Sequence, residues 1–129
     1  MENFIKIIVG VGGGLASYLW GGWSVLLQVL VIFIVIDYIM GVLAAAHHGE
    51  LSSKVGFKGI AKKIMILLLV AVAHSIDQVL GDAHLVRDAV IFFYIANELL
   101  SIIESAGKAD LPVPAALTKA VKTLKGEDQ

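Results

Sequence analysis

The chain has no cysteine. That excludes disulfide staples, thiolate nucleophiles and thiolate metal sites. Proline is nearly as scarce: its two copies, Pro112 and Pro114, fall beyond the last long apolar stretch, where they stop any continuation of a helix. Charge is thin as well. Charged residues make up 16% of the 129 positions, against about 25% in a soluble domain, and none occurs between residues 7 and 36. Net charge is −1, so no whole-chain field points to nucleic acid. A charge-free run of that length is too long for a buried core helix and long enough for at least one membrane span.

What is present is apolar. Hydrophobic residues make up 58% of the chain and the mean hydropathy is +0.87. Four apolar segments follow one another, at about residues 4–20, 23–46, 60–80 and 85–105. The later three approach the 20 or so residues a helix needs to cross a bilayer. The first is shorter and glycine-rich. Its weak basic start is offset by Glu2 and no convincing cleavage site follows, so it reads as a helix rather than a cleaved signal. Gly21 and Gly22 supply a turn, flanked by Trp20 and Trp23 as aromatics flank a membrane interface. The expected fold is an all-alpha integral membrane protein: a bundle of four transmembrane helices, three being the alternative. Residues 1–107 form the membrane domain and residues 108–129 a short cytoplasmic tail. In that tail, Leu117, Val121 and Leu124 recur at helical spacing beside Lys119, Lys122 and Lys125. Two readings stay open there: a helix on the anionic leaflet, or a frayed solvated end.

Lysine and arginine accumulate on the cytoplasmic side of a membrane. The loop after the second segment carries Lys54, Lys58, Lys62 and Lys63 against Glu50. The link between the third and fourth segments carries Asp77, Asp82 and Asp88 with Arg87 and His84. The basic loop and the tail are therefore expected inside and the acidic link outside. Arg87 is expected to pair with Asp82 or Asp77, at the outer end of the fourth segment.

Against this background the intramembrane acids stand out. Asp37 lies well inside the second segment, and Asn97 and Glu98 lie inside the fourth. An ionisable residue at the centre of a span costs about 2.5–3.5 kcal/mol on insertion scales, so such residues face a partner, the bundle interior or water. Gly41 is one turn beyond Asp37 on the same face, where it admits a close helix contact. Tyr94, Glu98, Ser101 and Ser105 share a broad polar face, with Glu104 further on. Lys62 and Lys63 open the third segment on the same side of the membrane, and long lysine stems reach inward from an interface. An Asp37–Lys62 or a Glu98–Lys63 contact is the expectation, the pairing itself being left open.

The glycines invite a different misreading. Gly10, Gly12, Gly13 and Gly14 lack the strand-turn-helix context of a phosphate loop. Gly10 and Gly14, with the parallel series Gly13, Ser17 and Gly21, instead form a small-residue face that lets helices approach closely in lipid. Gln28 is a candidate interhelical hydrogen-bonding group. His47, His48 and His74 show no metal-ligand spacing. No metal and no cofactor is expected, and no nucleophile–base pair suggests an enzyme.

IDYIMGVLAA in the second segment, the loop GELSSKVGFKGIAKK, the Asp77 region, and FFYIANELLSIIESAG ahead of LPVPAAL occur in that order over residues 36–117. In this combination the chain resembles the phage-lysis and toxin-secretion holin family of Gram-positive bacteria and their phages. The resemblance implies a protein of the bacterial cytoplasmic membrane that accumulates and forms homo-oligomers in the lipid bilayer. At a programmed time it permeabilises the membrane, so that an endolysin, or in related systems a large toxin, escapes or reaches the cell wall. No bond is cleaved by such a protein itself. Asp37, Gly41, Gly49, Leu51, Ser52, Gly56, Lys58, Gly59, Lys63, Asp77, Tyr94, Asn97, Glu98, Ser101 and Glu104 look like family markers, serving assembly and helix geometry first and pore lining second. The competing expectations are a small ion channel or transporter, and a structural accessory subunit of a membrane complex.

Overall fold

The computed structural model describes residues 1–81 and 83–126. Asp82, one of the acids of the expected outer link, and the last three tail residues lie outside the described residues. Among the described residues five helices follow in order: α1 (Glu2–Trp20), α2 (Val25–His47), α3 (Ser53–Leu80), α4 (Leu85–Lys108) and α5 (Ala115–Leu124). Three of them, α1, α2 and α4, are long and apolar enough to cross a membrane.

Local chemistry sets the boundaries. Ser24 and Ser52 cap α2 and α3 by accepting from the amides of Leu27 and Val55, each at 3.2 Å, which satisfies donors that the first turn leaves free. The Ser52 cap also explains why α3 starts earlier than its hydropathy indicates. Lys54 and Lys58, expected in a loop, ride on its first turns. With 28 residues, α3 is roughly 42 Å long at 1.5 Å per residue. Gly21 ends α1 and Gly81 ends α3 in the left-handed conformation, at φ 76° and 75°, where a side chain is strained and glycine is not.

The hub is α4, which packs against α2, α3 and α5, while α1 joins the bundle through α3. Leu27, Leu30 and Ile34 of α2, Ile66 and Val70 of α3, and Ile91 and Ile95 of α4 form the buried cluster. Lipid tails are as apolar as leucine, so in a membrane this cluster acts through close packing rather than transfer from water. The outer surface is apolar too. On α1, Phe4, Ile7, Val9 and Val11 are exposed and Ala16 is the one buried residue. Such continuous apolar surface is foreign to a soluble monomer.

The tail forms a packed helix. Past Pro112 and Pro114, α5 folds back along α4, with Val121 buried and Leu124 resting on the core cluster. Lys119, Lys122 and Lys125 are exposed, Lys125 at the edge of a groove between α5 and α4. Of the apolar spacing read from the sequence, Val121 and Leu124 pack inward while Leu117 stays exposed. Where α2 and α4 end, His48 Nε2 lies 2.6 Å from the Lys108 carbonyl and ties the two C-terminal ends together.

Candidate functional site

Helix α2 carries Asp37 on its buried face, α4 carries Glu98, and α3 brings Lys63 between them. The Lys63 ammonium donates to Glu98 Oε1 at 2.6 Å and to Asp37 Oδ2. Both carboxylate side chains are 6% exposed and the lysine side chain 17%. One cation thus bridges two acids from two other helices, in the half of the bundle where α2 and α4 end and α3 begins. Pairs with water excluded interact strongly but carry a large desolvation cost, so they contribute less to stability than to fixing which helix faces meet.

Two cavities flank the cluster, of about 190 Å³ and about 530 Å³, and Asp37, Gly59, Lys63 and Ser101 line both. Lys63 therefore stands in the partition between them. Of the polar face of α4, Tyr94, Glu98 and Ser101 border the larger cavity, joined by Asn97 and Glu104, while Ser105 borders the smaller one. Lys62 also borders the larger cavity but is exposed, and Glu104 is exposed as well. Of the two expected contacts, Glu98–Lys63 is present. Asp37 is held by Lys63 too, not by Lys62. Gly41 lines the smaller cavity, and a Cβ placed there would meet nothing within 4 Å, so it opens space instead of admitting a close helix.

The close approach lies elsewhere, at Tyr38, which sequence reasoning passed over. Its hydroxyl donates to the Gly56 carbonyl at 3.4 Å. A Cβ on Gly56 would sit 3.2 Å from that hydroxyl, and one on Gly59 would sit 3.3 Å from the ring. Glycine at these two α3 positions lets the Tyr38 hydroxyl and ring edge approach the helix closely, on a turn adjoining Lys63. The available signal was an aromatic residue adjoining the intramembrane acid, opposite two glycines three apart.

Asp77 does not join this cluster; it works at the other end of the bundle. Its carboxylate accepts from the amides of Val86 and Arg87, each at 2.8 Å. The residue at the start of α4, His84, has φ 65° and makes no capping bond. Asp77 of α3 therefore caps α4 from across the turn. Arg87, expected to pair with Asp82 or Asp77, meets Asp77 through its backbone and pairs with Asp88 at 2.9 Å through its guanidinium. It also donates to the Trp20 carbonyl at 2.8 Å, while the Trp20 indole donates to the Leu67 carbonyl at 3.0 Å. Trp20 thus anchors α1 inside the bundle, and Trp23 is the exposed member of the pair. His74 and His84 stack beside this junction with ring centroids 5.8 Å apart.

The small-residue face of α1 is split. Nothing within 4 Å would meet a Cβ on Gly10, Gly13 or Gly14, and Ser17 is exposed. At Gly21 a Cβ would fall 2.7 Å from the His74 ring. Close packing within one chain is thus confined to the last turn of α1. Gln28 bonds locally, to the Trp23 carbonyl at 2.9 Å, instead of across helices. Among the described residues no group of three or more acids and histidines is placed to hold a metal ion.

Comparison with known proteins bears on what such a cluster serves. The family model of the bacteriophage holin family matches residues 14–126. An uncharacterized protein of Listeria monocytogenes is 51% identical over 100% of this chain and 94% of its own length. An uncharacterized 14.9 kDa protein of Clostridium perfringens is 35% identical over 97% of this chain and 96% of its own. A Bacillus phage phi105 protein named probable holin is 31% identical over 87% of this chain and 82% of its own. No solved structure matches.

Proposed function

The chain belongs to the bacteriophage holin family, and on that premise we propose that it oligomerises in the bacterial cytoplasmic membrane and permeabilises it. The opening releases or activates a cell-wall hydrolase during host lysis, or in a related setting lets a toxin out. The chain performs no bond cleavage. The proposal counts four spans, α3 being the fourth, with both termini inside. In support, α3 is 28 residues long and its lysines gather at its start, where long stems reach an interface.

The observation that carries this reading is the Lys63 bridge between Asp37 and Glu98, nearly buried among three helices and flanked by two half-open pockets. A membrane protein needing only stability has little use for it, since a well-packed apolar replacement is neutral or better. A protein that must pass from a closed to a wet state does have a use. The same polar groups can satisfy one another when the bundle is closed and face water when the helices part, so the two states differ in their polar contacts. Asp37, Glu98, Asn97, Ser101 and Tyr94 then line the opening.

Induced expression in a bacterial host tests it, with ion leakage and escape of a folded cytoplasmic reporter followed together. Both signals appearing abruptly after a period of silent accumulation is the expected result. Selective ion flux at low expression without reporter escape would make the chain a small channel. Loss of both signals would make it an accessory subunit.

A further inference from the structure

The charges in the cluster do not balance. Asp37 and Glu98 each touch the same Lys63 nitrogen, which places their carboxyl oxygens within about two hydrogen-bond lengths, roughly 5–6 Å, of each other. One ammonium and two carboxylates leave a net charge of −1 on side chains that are 6%, 6% and 17% exposed. The neighbouring ionisable groups do not supply the missing cation. From α2 the flanking cavities meet Tyr38, from α3 Lys62, and from α4 Tyr94 and Glu104. Lys62 and Glu104 are both exposed and opposite in sign, so counting them gives two cations against three acids and the same deficit. Neither α1 nor α5 lines either cavity.

An unbalanced charge buried among apolar helices is expensive, and a buried carboxyl escapes the cost by taking up a proton. Two carboxyls sharing one site ionise one at a time, so the proton belongs to the pair. We infer that the Asp37–Lys63–Glu98 cluster is a proton-binding site, in which the two carboxyl groups hold one proton between them and render the closed bundle neutral at its centre. The two adjoining pockets, together some hundreds of cubic ångströms and open on one side, are roomy enough to admit water, which Asp37, Glu98, Asn97 and Ser101 can bind on its way to and from the cluster.

This deepens the function proposed above, on which its consequence rests. Parting of the helices wets the cluster, and water stabilises the second carboxylate. Opening therefore releases a proton. By linkage, lower pH on the accessible side holds the bundle closed and higher pH favours the wet state.

Infrared spectroscopy of the full-length protein in zwitterionic lipid vesicles reads the proton directly. Of the other acids among the described residues, Asp77 accepts two amide donors, Asp88 pairs with Arg87, and Glu2, Glu50 and Asp110 lie exposed at helix ends or in a loop; Glu104, exposed on α4, is controlled by Glu104→Gln, which should leave the band in place. The wild-type protein is expected to show the carbonyl stretch of one protonated carboxyl per chain at neutral pH, lost reversibly on alkaline titration. Glu98→Gln and Asp37→Asn should each abolish it, since either change leaves one acid paired with Lys63. Absence of the band in the wild type, or its survival in both variants, overturns the inference. So does a carboxylate band that shifts with sodium or potassium in place of protons. If the variants fail to fold, the wild-type titration decides alone. No leakage is measured, so this result and that of the permeabilisation assay stand or fall separately.

Discussion

Asp77→Ala should loosen the start of α4, and the size of the effect follows from the geometry. Two amides, those of Val86 and Arg87, each donate to the Asp77 carboxylate at 2.8 Å. Asp77 is 1% exposed and Arg87 4% exposed, while Val86 is half-buried. The helix has no cap of its own to take over. Loss of a side-chain cap costs about 0.5–2 kcal/mol, and a buried donor left without a partner costs about 1–3 kcal/mol. Water can reach the Val86 amide more readily than that of Arg87, so the two bonds do not contribute equally. The opposing gain is the removal of a buried charge. The net expectation is a loss of about 2–3 kcal/mol. Asp77→Asn keeps one acceptor and turns an amide group toward the other donor, so it should lose about half as much, roughly 1–1.5 kcal/mol. Detergent-induced unfolding in mixed micelles, followed by far-ultraviolet circular dichroism, gives the totals. Hydrogen exchange at the Val86 and Arg87 amides gives the local effect, expected as a rise of about tenfold or more. Unchanged exchange at both amides in the alanine variant, with a stability loss under about 0.5 kcal/mol, would refute the cap.

Two further outcomes follow from the contacts around Lys63. Lys63→Met leaves two buried acids without their cation and should cost about 3–5 kcal/mol in the same unfolding measurement; adding Asp37→Asn and Glu98→Gln to it should restore most of that, whereas simple additivity of the three changes would dismiss the coupling. At Gly59 an added methyl must displace the Tyr38 ring by only a few tenths of an ångström, and alanine gains about 1 kcal/mol of helix preference over glycine, so Gly59→Ala should be near neutral. Gly59→Leu should lose about 1–3 kcal/mol by overpacking, and Tyr38→Ala in the same chain should relieve it; no relief would show that the ring is not what the glycine accommodates.

The membrane character, the helical class and the presence of a polar site were all decided locally, in the order of residues along the chain. Hydropathy over about 20 residues is enough to commit a segment to the bilayer, because lipid leaves a backbone no alternative to satisfying its own hydrogen bonds. The cost of a lone carboxylate in hydrocarbon is likewise a property of one position, so Asp37 and Glu98 declared themselves without any knowledge of their neighbours. What they pair with was not local. Lys62 and Lys63 are adjacent, yet one residue turns a helix by about 100°, and only the rotation of α3 against α2, where Gly56 and Gly59 admit Tyr38, points Lys63 inward and leaves Lys62 outside. The same holds for Asp77, whose capping partners lie nine and ten positions ahead across the turn at Gly81. It holds also for α5, whose apolar stripe was legible but whose docking face on α4 was not. A sequence records which groups must be satisfied; the angle at which helices meet decides by whom.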